Sequence, residues 1–99
     1  MQIQYYQTNP GYLHREIAGE DILISLGGNI ANFNGYVALN ETSAFLWDAL
    51  ATPKTLEQLV HVMQEAYAVE DAVARADVQE FLTELLEKGM IREVSDETS

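Results

Sequence analysis

Apolar and polar positions change their period once along this chain. From Tyr12 to Leu39 they alternate in twos, and beyond Asn40 they recur in threes and fours. A period of two marks strands and one near 3.6 marks helices, so strands precede helices here. Tyr12 to Ile17 reads as the first strand, with Leu13 and Ile17 on one face and His14 and Glu16 on the other. Ala18-Gly19-Glu20-Asp21 turns the chain. Ile22, Ile24 and Leu26 then alternate with Leu23 and Ser25, a second strand apolar on both faces. Gly27-Gly28-Asn29 interrupts it, and Ile30 to Phe33 either resumes that strand past a bulge or forms another. Asn34-Gly35 is a strong hairpin signal, because both residues tolerate positive φ. Tyr36 to Leu39 follows as a third strand, with Val37 and Leu39 on one face.

Asn40 ends that strand and caps a helix over 41–51, its side-chain oxygen accepting from an amide one turn on. Leu39 and Ala44 stand at the staple positions around the cap. Pro53 closes the helix, since the residue before proline is pushed out of helical geometry. Thr55 and Gln58 form a capping box for a second helix carrying Leu56, Leu59, Val60, Met63 and Tyr67 on its apolar face. Glu70 and Asp71 suit the positive end of a third helix, whose stripe is Ala74, Val78, Phe81, Leu82 and Leu85. Gly89 is its expected left-handed terminator, and Met90 to Val94 reads as a short closing strand.

The predicted fold class is α+β: a three-stranded antiparallel sheet followed by three helices, close to a winged helix-turn-helix. Three segments follow: an N-terminal arm over 1–11, a domain over 12–94 and a polar, disordered tail over 95–99. Asn9-Pro10-Gly11 separates the arm as a turn. The arm itself alternates only loosely. It is compatible with a frayed tail, an extra strand, or a strand exchanged in a homodimer.

Ninety-nine residues suit one small domain with a single core, and 47% hydrophobic content suits a globular one. The absence of cysteine removes disulfides, thiolate zinc sites and cysteine nucleophiles. Without an apolar run of membrane-span length or a signal-peptide pattern, a cytoplasmic address is expected. The net charge of −11 matters more. Phosphate binding needs clustered Lys and Arg, and five scattered basic residues do not supply it. Asp71, Asp77, Glu80, Glu84 and Glu87 on the third helix would repel a duplex. The same acidity predicts a partner surface carrying Lys or Arg.

No catalytic residue, cofactor or metal ligand emerges. His61 lies one turn from Glu57 and Glu65, but all three fall on a polar helix face and read as a solvated stripe. His14 is expected on the outward side of its strand. Ser43 has no visible base, and Gly27-Gly28-Asn29 precedes no nucleotide-binding pattern. Trp47 belongs in the core. What remains is the sheet rim, whose unpaired amides and carbonyls another extended chain can fill. A protein–protein adaptor and a DNA-binding regulator are the rival readings.

Arg15-Glu16-Ile17, Leu39-Asn40-Glu41-Thr42, Ala44-Phe45-Leu46-Trp47, the second-helix pattern ending in Tyr67, Asp77-Val78, Phe81-Leu82, Leu85, Gly89 and Ile91 follow one another in a specific order. In these features the chain, from about Leu13 to Glu93, resembles PqqD and its relatives, the peptide-recognition elements of ribosomally made, modified peptides. Ser43 stands where relatives commonly have glycine, and Ala51-Thr52-Pro53 replaces a frequent glycine turn. The resemblance implies a non-catalytic domain that takes the leader segment of a precursor peptide as an added strand beside the third strand. That leader would lie in a groove against the third helix. It implies Tyr36, Val37, Ala38 and Leu39 as the receiving strand and Asp77, Val78, Phe81 and Leu85 as groove walls, with Val78 and Leu85 deeper. It also implies a modifying enzyme, typically a radical S-adenosylmethionine enzyme, acting in trans.

Overall fold

Residues 3–26 and 36–95 are described by the computed structural model. In chain order the elements are β1 (Gln4–Thr8), β2 (Tyr12–Ile17), β3 (Glu20–Ser25), β4 (Tyr36–Leu39), α1 (Glu41–Ala49), β5 (Lys54–Thr55), α2 (Leu56–Tyr67), α3 (Asp71–Glu87) and β6 (Ile91–Ser95). The fold is α+β, with a three-stranded antiparallel sheet in the order β2-β3-β4 and three helices. The expectations for Gly27-Gly28-Asn29, for Ile30 to Phe33 and for the Asn34-Gly35 turn lie outside the described residues, as does that for residues 96–99.

Local signals set the helix starts. The Asn40 side chain accepts the Ser43 amide at 2.8 Å, capping α1. Thr55 and Gln58 exchange reciprocal bonds of 3.1 and 2.9 Å at the head of α2. α1 stops at Ala49, two residues before its predicted end, and Leu50 turns fully into the core. Ala68 ends α2 in the left-handed region at φ 54°, a position that glycine usually takes.

One core joins the layers. Leu23 of β3 belongs to one cluster with Leu46 and Trp47 of α1, Leu59 and Met63 of α2, and Val78, Phe81 and Leu82 of α3. Each such side chain gains roughly 1.5–3 kcal/mol on burial. Trp47 is 6% exposed, in the core as its spacing predicts, with Tyr12 edge-on at 6.1 Å.

A second three-stranded sheet, β5-β1-β6, departs from the single sheet predicted. Residues 4–8 of the arm are its middle strand. They pair with Lys54 and Thr55 on one side and with residues 91–95 on the other. The predicted closing strand therefore joins the arm, not the β2-β3-β4 sheet, and it runs on through Ser95.

The β2–β3 hairpin corrects two expectations. Its turn is the two residues Ala18 and Gly19, at φ 55° and 84°, and β3 starts at Glu20. Positive φ at both positions matches the right-handed twist of the flanking strands. The faces of β2 are also the reverse of those expected from hydrophobicity. His14 lies opposite the fully buried Leu23, toward α1, whereas Leu13 and Ile17 remain 38% and 51% exposed. Polar partners on the inner side explain the reversal. His14 Nδ1 lies 2.9 Å from Asp48 of α1, and its Nε2 lies 2.9 Å from Asp21 of β3. Among the described residues, no helix is long and apolar enough to cross a membrane.

Candidate functional site

β4 is short because Asn40 converts it directly into α1. Its four residues pair with β3 in the register Ile24–Tyr36, Leu23–Val37, Ile22–Ala38 and Asp21–Leu39. In an antiparallel pair, alternate residues bond inward and the others aim their N–H and C=O groups away. Among the described residues no strand pairs with β4 on that far side. Val37 and Leu39 pack against the core, which fixes the tilt of the strand, and Ala38 is exposed.

Where β4 ends, at Asn40, a groove of about 270 Å3 opens. Its near wall is the capped start of α1, at Asn40, Thr42 and Ser43; its far wall is α3, at Asp77, Glu80, Phe81 and Glu84. A second cleft of about 620 Å3 opens by the β2–β3 turn, where Glu16, Glu20, Asp21 and Glu41 surround Ala38 and Leu39. Both clefts that meet the end of β4 are thus acidic.

Of the eight residues named from the sequence, the backbone of Tyr36 to Leu39 forms the edge, and Asp77 and Phe81 line the groove. Phe81 is only 5% exposed, so it forms an apolar floor. Val78 and Leu85 are 0% and 3% exposed and support the groove from inside the core without reaching its surface. Asn40, Thr42, Ser43 and Glu80 are additional lining residues. The cap at Asn40 is the signal that could have found the first three. Glu80 is one acid among many and had no distinguishing mark.

An ion pair ties α3 to α2. Arg75 of α3 reaches both oxygens of Glu57 on α2 and, through Nε at 3.3 Å, Asp71 one turn back. The hydrogen bond from Arg75 holds the Glu57 carboxyl below the usual carboxylate range despite some desolvation. Lys88 pairs with Glu84 at 2.8 Å, which tempers that acid but not Asp77 or Glu80. Burial, then the Glu41 carboxylate, push the Tyr67 hydroxyl up. His61 faces Glu65 at 3.2 Å with both side chains well exposed, and the described residues contain no cluster of three metal-capable side chains. What the arrangement offers chemically is a rank of backbone hydrogen bonds, an apolar floor and negative charge.

The family model for PqqD, coenzyme PQQ synthesis protein D, matches residues 20–91. The chain belongs to the PqqD family. The matched span runs from β3 into β6 and includes both the β4 edge and α3. Solved structures share the fold of this PqqD-family chain. TbiB1 in complex with the TbiA(beta) leader peptide aligns at a TM-score of 0.68 and 21% identity, over 87% of this chain and 94% of that one. A lasso peptide synthetase B1 complexed with its leader peptide gives 0.69 and 22%, over 88% and 96%. The PqqD truncation of Methylobacterium extorquens PqqCD, a stand-alone recognition element for ribosomally synthesised and modified peptides, gives 0.70 and 14%, over 89% and 88%. Comparison with curated proteins gives no match.

Proposed function

We propose that this PqqD-family protein captures the leader segment of a ribosomally made precursor peptide. The leader adds as a strand to the outer edge of β4 and lies in the groove against α3. The protein then presents it, without catalysing chemistry itself, to a modifying enzyme in trans, in the first instance a radical S-adenosylmethionine enzyme. The observation that carries this reading is the β4 edge, paired on one side only among the described residues, with the α3 groove opening where the strand ends at Asn40. Backbone hydrogen bonds to such an edge give affinity with little regard to sequence, and pockets for alternate side chains add selectivity. Family membership supports the reading, and two structures of the same fold are themselves leader-peptide complexes.

The test is a 15N-labelled titration with synthetic leader segments of short precursors encoded beside the gene. Binding should shift the amides of 36–39 and of the α3 groove face together. Shifts confined to β1, β5 and β6 would remove the proposal.

A further inference from the structure

The side chains around β4 separate into two chemically distinct faces. Val37 and Leu39 point to the core side, where the groove carries Asp77, Glu80 and Glu84. On the reverse side lie Ala38 and, across β3 and β2, Ile22 with Arg15 and Ile24 with Leu13. This outer face is largely apolar: Ile22 and Ile24 are only half-buried, and Leu13 and Ile17 are more exposed still. A strand added to β4 must alternate its own side chains between these two surroundings.

We infer that the strand held at β4 carries Lys or Arg at alternate positions facing Asp77, Glu80 and Glu84, and β-branched or aromatic residues between them over Ala38 and Ile22. The inference rests on the β4 reading and adds the chemistry of the occupant. The spacing agrees. Asp77 to Glu84 spans about 10 Å along a helix rising 1.5 Å per residue. Strand residues two apart are separated by about 7 Å, so on a strand running along α3 two basic side chains would cover that stripe. Lys88 already pairs with Glu84, leaving Asp77 and Glu80 as the stronger attractors. On the outer face, β-branched and aromatic side chains gain most from a cross-strand apolar neighbour.

The probe is a displayed library of random 12-residue peptides, selected against the chain and against a D77N/E80Q/E84Q variant. Individual winners are followed by titration and by the amide shifts of 36–39. Peptides that shift β4 should show the basic–apolar alternation. They should bind the variant about ten-fold more weakly, two exposed pairs being worth a few-fold each. Raising NaCl from low to high concentration should weaken them similarly. Lys→Gln and Lys→Glu replacements in a winning peptide give the same reading from the ligand side, independent of how the variant folds. Winners that shift β4 without the alternation, or that bind chain and variant equally, overturn the inference and leave the edge proposal standing. If no winner shifts β4, the edge proposal falls and the inference falls with it.

Discussion

The two sheets have the same strand count and are assembled from different parts of the chain. In β5-β1-β6 the middle strand is paired on both sides, and its surroundings are sealed by further bonds. The Thr8 amide donates to Leu50 at 3.1 Å, the Asn9 amide to Met90 at 3.0 Å and the Asn9 side chain to Gly89 at 2.7 Å. Arg92 reaches Gln7 at 3.1 Å across the same sheet. In β2-β3-β4 the strand that leads into α1 is paired on one side among the described residues, and acids line the two clefts at its end. Each sheet still has two edge strands among the described residues, and what sets β4 apart is the acidic groove that opens where it passes into α1. Edge strands are usually blunted by charge against self-association, and the charge here has a single sign. Single-sign charge of this kind disfavours pairing with a second acidic copy and favours a basic partner.

The comparison breaks most visibly if β1 is removed. Deleting residues 1–9 strips the middle strand of one sheet and exposes Ile91 and Met90, both buried in the complete chain. The loss of its backbone bonds, at about 1 kcal/mol each, approaches the whole stability of a small domain. Loss of the cooperative urea transition is expected. A truncated chain that melts like the complete one would mean that the arm is only appended.

Next in size is a pair of proline substitutions, Val37→Pro and Ala38→Pro. Neighbouring residues on β4 aim their amides to opposite sides, so one variant removes a bond to β3 and the other a donor of the open edge. The inward one should lose about 3 kcal/mol in urea denaturation. The outward one should remain much closer to the parent in stability yet lose leader binding at least ten-fold by calorimetry, a change of about 1.4 kcal/mol. Two variants that bind equally well would disqualify β4 as the receiving edge. Asn40→Ala should follow, costing about 1 kcal/mol through the lost cap and loosening the near groove wall. Its check is the urea midpoint together with the Thr42 and Ser43 amide shifts.

These two regions also differ in how far they can be read from residues alone. The β2–β3–β4 meander and the three helices announce themselves locally, through alternation, the Asn40 cap and the Thr55–Gln58 box. β1 and β5 do not. Tyr5 pairs with Thr55 and Val94, partners far away in sequence, and β5 is only two residues long. No periodicity encodes such a choice. The β2 faces were misread because Leu13 and Ile17 look like core, while the inner position goes to His14 through its two carboxylate partners. For the candidate site, Tyr36 to Leu39 is legible as a strand leading into a capped helix, whereas the grouping of Asp77 and Phe81 as groove walls comes only from the resemblance. How deep Val78 and Leu85 lie depends on the rotation of α3, which packing against α2 sets and a single stripe does not.

A smaller effect concerns the left-handed alanines. Ala18, in the hairpin of the open sheet, and Ala68, at the end of α2, hold φ 55° and 54°. A Cβ there costs about 1–2 kcal/mol, offset in part by the greater freedom of glycine in the unfolded chain. Ala18→Gly and Ala68→Gly should each raise stability by roughly 0.5–1 kcal/mol in urea. Unchanged or lower midpoints would show that neither turn is strained.

The smallest expected effect is a pH dependence, and it tests how the open sheet is held to its helix. Burial of His14 disfavours its charge, but hydrogen bonds to Asp48 and Asp21 outweigh that and raise its pKa above the ordinary value of 6.5. A group whose folded pKa exceeds its unfolded one binds protons more tightly in the fold. Its stabilisation is complete below about pH 6.5 and is lost as pH rises through the folded value. Urea midpoints of the chain and of His14→Gln, compared between pH 5.5 and 8, remove contributions common to both. The difference should favour the parent at the acidic end and shrink toward pH 8. A difference that grows with pH would mean that neutral His14 is the form the hairpin prefers, with burial prevailing over its two carboxylates.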